Sequence, residues 1–500
     1  MHLRMSNSNY KLLFKATGLF GIVEALRIVL RIGVNKFASV FLGPSSYGVV
    51  GLVDNIIQLI CALTSFGINF IGIREIAANK LSDKNKLNTT IKSIHIFIIL
   101  TGALAAIISV IFSAYLSKLT FGTQKYTIWF ILLSIYFVCN SFVQSKTILL
   151  EGLQDIRKLL TINIVCNIVN VTIIIGCYYM YNKTGIILSM ILTSFINMLL
   201  FLRGTKKYDT SHVKIAKQEL ENNIKYFAKS GSLLALNSCI GLFGYFLIRI
   251  YLKSIDQGIV LSYYNVGNIL MVSYVGIIFI SINKFYFPKL SETIISKNQE
   301  NINRLVNNQL EICFLLLIPA ILFLYLFGTF CLQLLFSIKF VLVYKILIFG
   351  LLSIFVRGFN YILGYLILSN KNFKQYFYIN SISDILNTFL TIILYKYFEL
   401  YGIGLAFLVN YLLSAVYTFY YVNKKYNLKV ENRIKKLLIC TATIGLIIVT
   451  SYFKFTIVWF NTISSIFFIL SIIYSTYKLD DYLLNKLLRN KIVLLLKKVN

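Results

Sequence analysis

The stretch IVEALRIVLRIGVNKFASV (22–40) places Glu24, Arg27, Arg31 and Lys36 inside an otherwise apolar run. Arg27 and Arg31 are four residues apart, so a helix sets both on one face, and Glu24, three residues before Arg27, reaches the same face. Two more guanidiniums, Arg249 and Arg357, and two more acids, Asp54 and Asp384, lie in apolar segments elsewhere in the chain. A guanidinium keeps its charge and donates two parallel hydrogen bonds, which suits a phosphate or pyrophosphate. At the centre of a bilayer each Arg costs about 2.5–3.5 kcal/mol, so Arg27 and Arg31 together cost roughly 5–7 kcal/mol unless they face water or an anion. The chemistry on offer is therefore anion binding in a wet passage. Simpler roles compete with it. Glu24 can neutralise Arg27 as a packing pair, and Lys36 and Arg249, nearer their helix ends, can snorkel outward. Glu24, Asp54 and Asp384 are the candidates for charge pairing or ion coupling. Lys345 lies close to a span boundary and is assigned no role.

The elements that must hold these residues are membrane helices. The chain has 500 residues, 58% hydrophobic and only 13% charged. A soluble chain of that length could not bury so much apolar surface, whereas a bilayer solvates it. Windows of about 20 apolar residues predict fourteen spans, near 17–41, 47–73, 93–115, 127–147, 159–180, 184–202, 229–251, 260–282, 312–328, 342–368, 376–395, 401–422, 437–452 and 456–477. Alternating strands of a barrel are absent. The first apolar run continues too far for a signal peptide and is read as a retained span.

The formal charge is +31, yet only seven of the 49 Lys and Arg residues fall in the loops after odd-numbered spans. That bias predicts a multi-pass inner-membrane protein with both termini in the cytoplasm. It also accounts for the charge without nucleic acid. The eight cysteines include no CxxC pair and the three histidines are scattered, so neither a metal site nor a disulfide framework is expected. No loop is long enough for a soluble catalytic domain, and the longest outer loop, near 329–341, has no acid-base pair. An enzyme is therefore not expected.

The chain also repeats itself. RKLLTINIVCNIVNVTIIIGCYYMYNKTGIILSMI (157–191) lies over KQYFYINSISDILNTFLTIILYKYFELYGIGLAFL (374–408) at an offset of 217. Asn163 meets Asn380, Asn167 meets Asp384, Asn170 meets Asn387 and Gly185 meets Gly402. The offset carries spans 5–6 onto 11–12, an even number of helices, so the halves are parallel repeats of six spans each. The expected organisation is an N-terminal tail (1–16), a first lobe (17–202), a charged connector (203–228), a second lobe (229–422), two added spans (423–477) and a basic tail (478–500). Two such lobes enclosing a cleft form a transporter.

Specific segments carry a family resemblance. FLGPSSYGVVGLVDNIIQLICALTSFGINFIGIREIA (41–77) resembles the first hairpin of polysaccharide flippases, with its LGP-x-x-YG turn. FPKLSETIISKNQENINRL (287–305) is similar to the segment after their eighth helix, and 370–407 to their eleventh and twelfth. On these motifs the chain is identified as a member of the O-antigen flippase group. That group belongs to the multidrug/oligosaccharidyl-lipid/polysaccharide (MOP) exporter superfamily, which also holds the MATE extruders and the peptidoglycan lipid flippases. The resemblance implies a MATE-like fold of two pseudo-symmetric six-helix lobes, here with two extra C-terminal helices. It implies translocation of an undecaprenyl-pyrophosphate-linked oligosaccharide from the inner to the outer leaflet by alternating access. Arg27, Arg31, Lys36, Arg249 and Arg357 would then hold the pyrophosphate. The count of fourteen helices raises the fourteen-helix branches, capsule-type and lipid II flippases; a lipid II flippase is the alternative reading, and a multidrug extruder is a further one. No cofactor is implied, only coupling to H+, Na+ or the membrane potential. The expected partners are the lipid-linked oligosaccharide, membrane lipids and polysaccharide-assembly proteins, for a chain working as a monomer.

Overall fold

The computed structural model describes residues 29–79, 84–208, 213, 215–256, 258–276, scattered positions between 278 and 294, and 298–483 apart from 371. Among these the regular structure is entirely helical. In chain order the helices are α1 (29–41), α2 (Gly43–Ser65), α3 (Ile68–Asn79), α4 (Lys84–Ile111), α5 (Ser113–Phe121), α6 (Thr127–Gly152), α7 (Ile156–Gly204), α8 (Lys217–Ile255) and α9 (Ile259–Asn268). A π-helical turn, Ile269–Tyr274, follows α9. Then come α10 (Gln299–Leu335), α11 (Tyr344–Ser369), α12 (Phe373–Tyr426), α13 (Asn432–Lys454) and α14 (Ile457–Leu483).

Among the described residues, ten helices are long and apolar enough to cross a membrane. Two of them are helix pairs. α7 has 49 residues and α12 has 54, where about 20 suffice to span hydrocarbon. Each is interrupted by a single non-helical residue, Asn182 (φ 46°, ψ −118°) in α7 and Glu399 (φ 49°, ψ −130°) in α12. These reversals lie at the predicted joins of spans 5–6 and 11–12, and they are 217 residues apart, the offset of the sequence repeat. The glycines three positions on show why the match is so close. A Cβ on Gly185 would sit 2.2 Å from the Cys177 carbonyl oxygen, and one on Gly402 would sit 2.0 Å from that of Leu394. Only glycine lets the limbs of each hairpin close to that distance. The described parts of spans 1 and 8 are helical too.

The chain divides into two compact units, Met1–Ser262 and Tyr263–Asn500. In the first, α3, α4, α6 and α8 share a core of Ile68, Ile71, Ile94, Phe97, Ile148 and Phe227. α8 packs on α2, α3 and α4, so the seventh span belongs to this unit and the division falls after it. The LGP-x-x-YG motif builds the start of α2. Gly43 takes φ +69°, Pro44 occupies the first turn, and Gly48 admits the Gly258 carbonyl oxygen to 2.7 Å of where a Cβ would stand. In the second unit α11 packs against α10 and α12. The added pair α13–α14 lies against α10. Its base is fixed by Arg433, whose Nη1 donates to the buried Glu311 carboxylate at 2.7 Å and whose Nη2 donates to Asn308 at 2.6 Å. Large side chains such as Ile128, Val416 and Trp459 are exposed. Water would not tolerate so extensive an apolar surface, but lipid does.

Candidate functional site

Of the residues singled out in the sequence, Glu24 and Arg27 lie outside the described residues. The rest fall into two groups, one in each unit.

In the first unit α1 carries Arg31 and Lys36, α2 carries Asp54, and α8 carries Arg249. Arg31 is exposed, and Lys36, Asp54 and Arg249 are half-buried. Asp54 is the centre of the group. Its Oδ2 accepts from Gln58 Nε2 at 2.7 Å, one turn along α2. The charges of both Arg31 and Arg249 reach its carboxylate. Its own charge is felt by Cys61, by Tyr136 on α6 and by Tyr178 on α7. Helices α1, α2, α6, α7 and α8 thus converge on this acid. α8 is held in register by Asn55, which donates to the Leu242 carbonyl at 3.4 Å. The Arg249 guanidinium lies over the Tyr245 ring, 5.7 Å from its centroid, a contact that orients a cation without neutralising it. Among the described residues, two guanidiniums thus act on one carboxylate. Lys36 sits one turn beyond Arg31, with its carbonyl accepting from Ser39 Oγ at 2.8 Å.

In the second unit Arg357, midway along α11, borders a cavity of about 230 Å³ closed by both limbs of α12. Asn360, Tyr361, Tyr365, Tyr376, Asn380 and Asp384 also line it. Arg357 Cζ lies 5.3 Å from the Phe279 ring centroid, and Phe279 packs in turn against Tyr361 in a tilted pair with centroids 5.0 Å apart. Among the described residues, Arg357 Nη1 is buried with no hydrogen-bond partner, as is Asn360 Oδ1. Asn360 Nδ2 is committed to the Tyr411 carbonyl at 3.0 Å, and Asn380 Nδ2 to the Tyr376 carbonyl at 2.9 Å. The cavity lining thus has one cation, one acid and, among the described residues, two buried polar atoms without partners, on Arg357 and Asn360. Among the described residues no ion pair joins Arg357 to Asp384, although the sequence allowed that pairing. A volume of this size admits several waters or a small anionic group.

Lys345, set aside from the sequence, lies one residue inside α11 with its ammonium 5.7 Å from the Tyr401 ring centroid. The Asn360–Tyr361–Tyr365 face of α11 was not singled out in the sequence. Its signal was a polar stripe at helical spacing beside Arg357, masked by the abundance of Tyr and Asn throughout the chain. Glu311 was missed as well, because its partner is 122 residues away. All eight cysteines are free thiols. No group of three His, Cys, Asp or Glu side chains among the described residues could hold a metal.

Comparison with known proteins places the chain in a family. The model of the lipid II flippase MurJ matches residues 29–476. A solved lipid II flippase MurJ in an inward closed conformation superposes with a TM-score of 0.71 at 15% identity, covering 93% of this chain and 99% of that one. An inward-facing MATE multidrug-resistance transporter of the MOP superfamily gives 0.66 at 13% identity over 84% of this chain and 99% of its own. A MOP-superfamily transporter from Pyrococcus furiosus Vc1 (DSM3638), described as having a binding pocket of reversed polarity, gives 0.60 at 13% identity over 83% and 96%. At such identities the structural likeness shows the fold alone, an all-helical MATE-like one. No curated protein matches by sequence.

The family match overturns the O-antigen reading. The LGP-x-x-YG turn and the 370–407 segment that carried it turn out to encode a helix start and a hairpin closure, at Gly43, Gly48 and Gly402. Those are demands of the shared fold and say nothing of the cargo. The count of fourteen spans was the better guide. This is a transporter and not an enzyme, and the chain belongs to the MurJ lipid II flippase family.

Proposed function

We propose that this chain translocates lipid II, the pyrophosphate-linked precursor of peptidoglycan, across the bacterial inner membrane by alternating access, with both termini in the cytoplasm. The observation that carries this reading is the family match over residues 29–476. It is supported by the chemistry of the two groups. Among the described residues, Arg31 and Arg249 act on the single carboxylate of Asp54 in the first unit, and Arg357 gives the second a buried donor with no partner. The guanidiniums of either unit suit a pyrophosphate through charge-assisted hydrogen bonds. The same guanidiniums disfavour the cationic cargo of a multidrug extruder. Lys36 adds charge one turn from Arg31, and Arg27 lies on the same predicted helix face.

The drive we assign is the membrane potential. An anion leaving a negative cytoplasm gains about 2.3 kcal/mol per charge per 100 mV. Antiport of H+ or Na+ is the competing drive and would run through Asp54 or Asp384. Collapsing the potential while holding the ion gradients distinguishes the two.

The test is complementation. A bacterium depleted of its own lipid II flippase should regain growth with this chain. It should lose growth again with Arg31→Ala, Arg249→Ala or Arg357→Ala at equal membrane protein. Failure to rescue, coupled with restored polysaccharide export in a strain lacking a surface-glycan flippase, would overturn the assignment.

A further inference from the structure

Away from both charged groups, the first unit has a cavity of about 390 Å³ between the short helix α5 and the end of α8. Its lining is Tyr115, Lys118, Leu119, Ile250, Lys253 and Ser254, none of them acidic. An ammonium carries three donors. Lys253 spends one on the Leu119 carbonyl, near the end of α5, which fixes its head at the cavity wall and leaves two donors over. The exposed Lys118 ammonium, on the facing element, has no hydrogen-bond or ion-pair partner among the described residues. Two cations therefore converge on one open cavity with no counter-charge in its lining.

The surroundings say which anion. Tyr115 in the lining is exposed, and so are Ile111, Phe112, Leu247 and Ile255, which lie within four residues of lining residues in the sequence. Exposed apolar side chains of this kind suit acyl chains. Exposed Tyr115 has the amphipathic ring that settles at headgroup depth. Cations beside an apolar flank match a lipid phosphate, whereas a free phosphate ion would use only the cations. We infer that Lys118 and Lys253 form a binding site for the phosphate of an anionic phospholipid, seated against α5 and α8 as a structural or regulatory lipid separate from the transported cargo.

The test uses the full chain in detergent micelles. Retention of added phosphatidylglycerol, against phosphatidylcholine, is counted by native mass spectrometry. Lys118→Gln should weaken phosphatidylglycerol retention about fivefold, in line with the worth of one basic residue at a membrane surface, and Lys118→Glu should weaken it further. Lys118 is exposed, so neither change threatens folding. Lys253→Gln should do the same, and Lys253→Arg should restore it. Inorganic phosphate at millimolar concentration should not displace the lipid. Equal retention by wild type and Lys118→Glu would overturn the site. Displacement by inorganic phosphate would overturn the lipid assignment in favour of a free-anion site.

Discussion

Replacing Arg357 by Met should make the protein more stable and less active. Arg357 Nη1 is buried with no partner among the described residues, and a buried unpaired donor costs about 1–3 kcal/mol, more when charged. Part of that is returned by the Phe279 face 5.3 Å away, since a partly desolvated cation–π contact contributes about 0.5–2 kcal/mol. Met matches the length of the stem, fills the same space and needs no partner. The difference predicts that Arg357→Met raises the unfolding free energy by about 1–2 kcal/mol. Transport should move the other way. Losing a charge-assisted pair of hydrogen bonds to an anion costs about 1.5–3 kcal/mol, on the order of ten- to a hundredfold in affinity. Arg357→Lys keeps the charge but not the fork and should fall between. Thermal unfolding of the purified protein in detergent reads the first effect, and growth rescue at equal membrane level reads the second. A destabilised Arg357→Met protein that still rescues growth would refute the reasoning, because it would make Arg357 a packing residue.

Further outcomes follow from other contacts. Arg433→Ala strands the Glu311 carboxylate, only 3% exposed, and should cost about 2–4 kcal/mol, with the double change Glu311→Gln/Arg433→Met recovering most of it in a thermal-melt cycle. Glu399→Gly relieves a positive φ and should stabilise by about 1–2 kcal/mol by melting, while the same change at the neighbouring Tyr397, within the α12 limb, should destabilise. Tyr208 donates to Asp155 Oδ2 at 2.6 Å, and that hydrogen bond, with burial and the nearby carboxylate charge, holds the phenol above its ordinary value of 10.0. The folded state thus keeps a proton that the unfolded chain gives up. Stability from Tyr208 is complete below pH 10 and lost as pH rises beyond it, and alkaline melts of Tyr208→Phe should lack that slope.

Much of the fold was legible because lipid imposes simple rules. Every span needs its own apolar run, and a duplicated run betrays itself by offset. The match of Asn163 with Asn380 and of Gly185 with Gly402 located both hairpins before any geometry was known. What the sequence hid was the way each hairpin turns. Asn182 and Glu399 are not glycines, and nothing local marks them as residues of positive φ. The site was legible as a set of charges and illegible as a set of neighbours. Asp54 gathers Arg31 and Arg249 through the packing of α1, α2 and α8, and helix periodicity cannot reach across helices. Arg433 and Glu311 failed to announce themselves for the same reason. The cargo was misread because short turn motifs record how helices start and close.

The one-residue reversals at Asn182 and Glu399 carry a mechanical consequence. A connecting loop has slack, and slack lets two rods slide lengthwise past each other. A single pivot whose limbs are pressed together at Gly185 or Gly402 has none. Each pair must tilt as one stiff lever, and any bending during the transport cycle falls to softer joints. One is the widened π turn at Ile269–Tyr274, where the backbone ladder is already loosened.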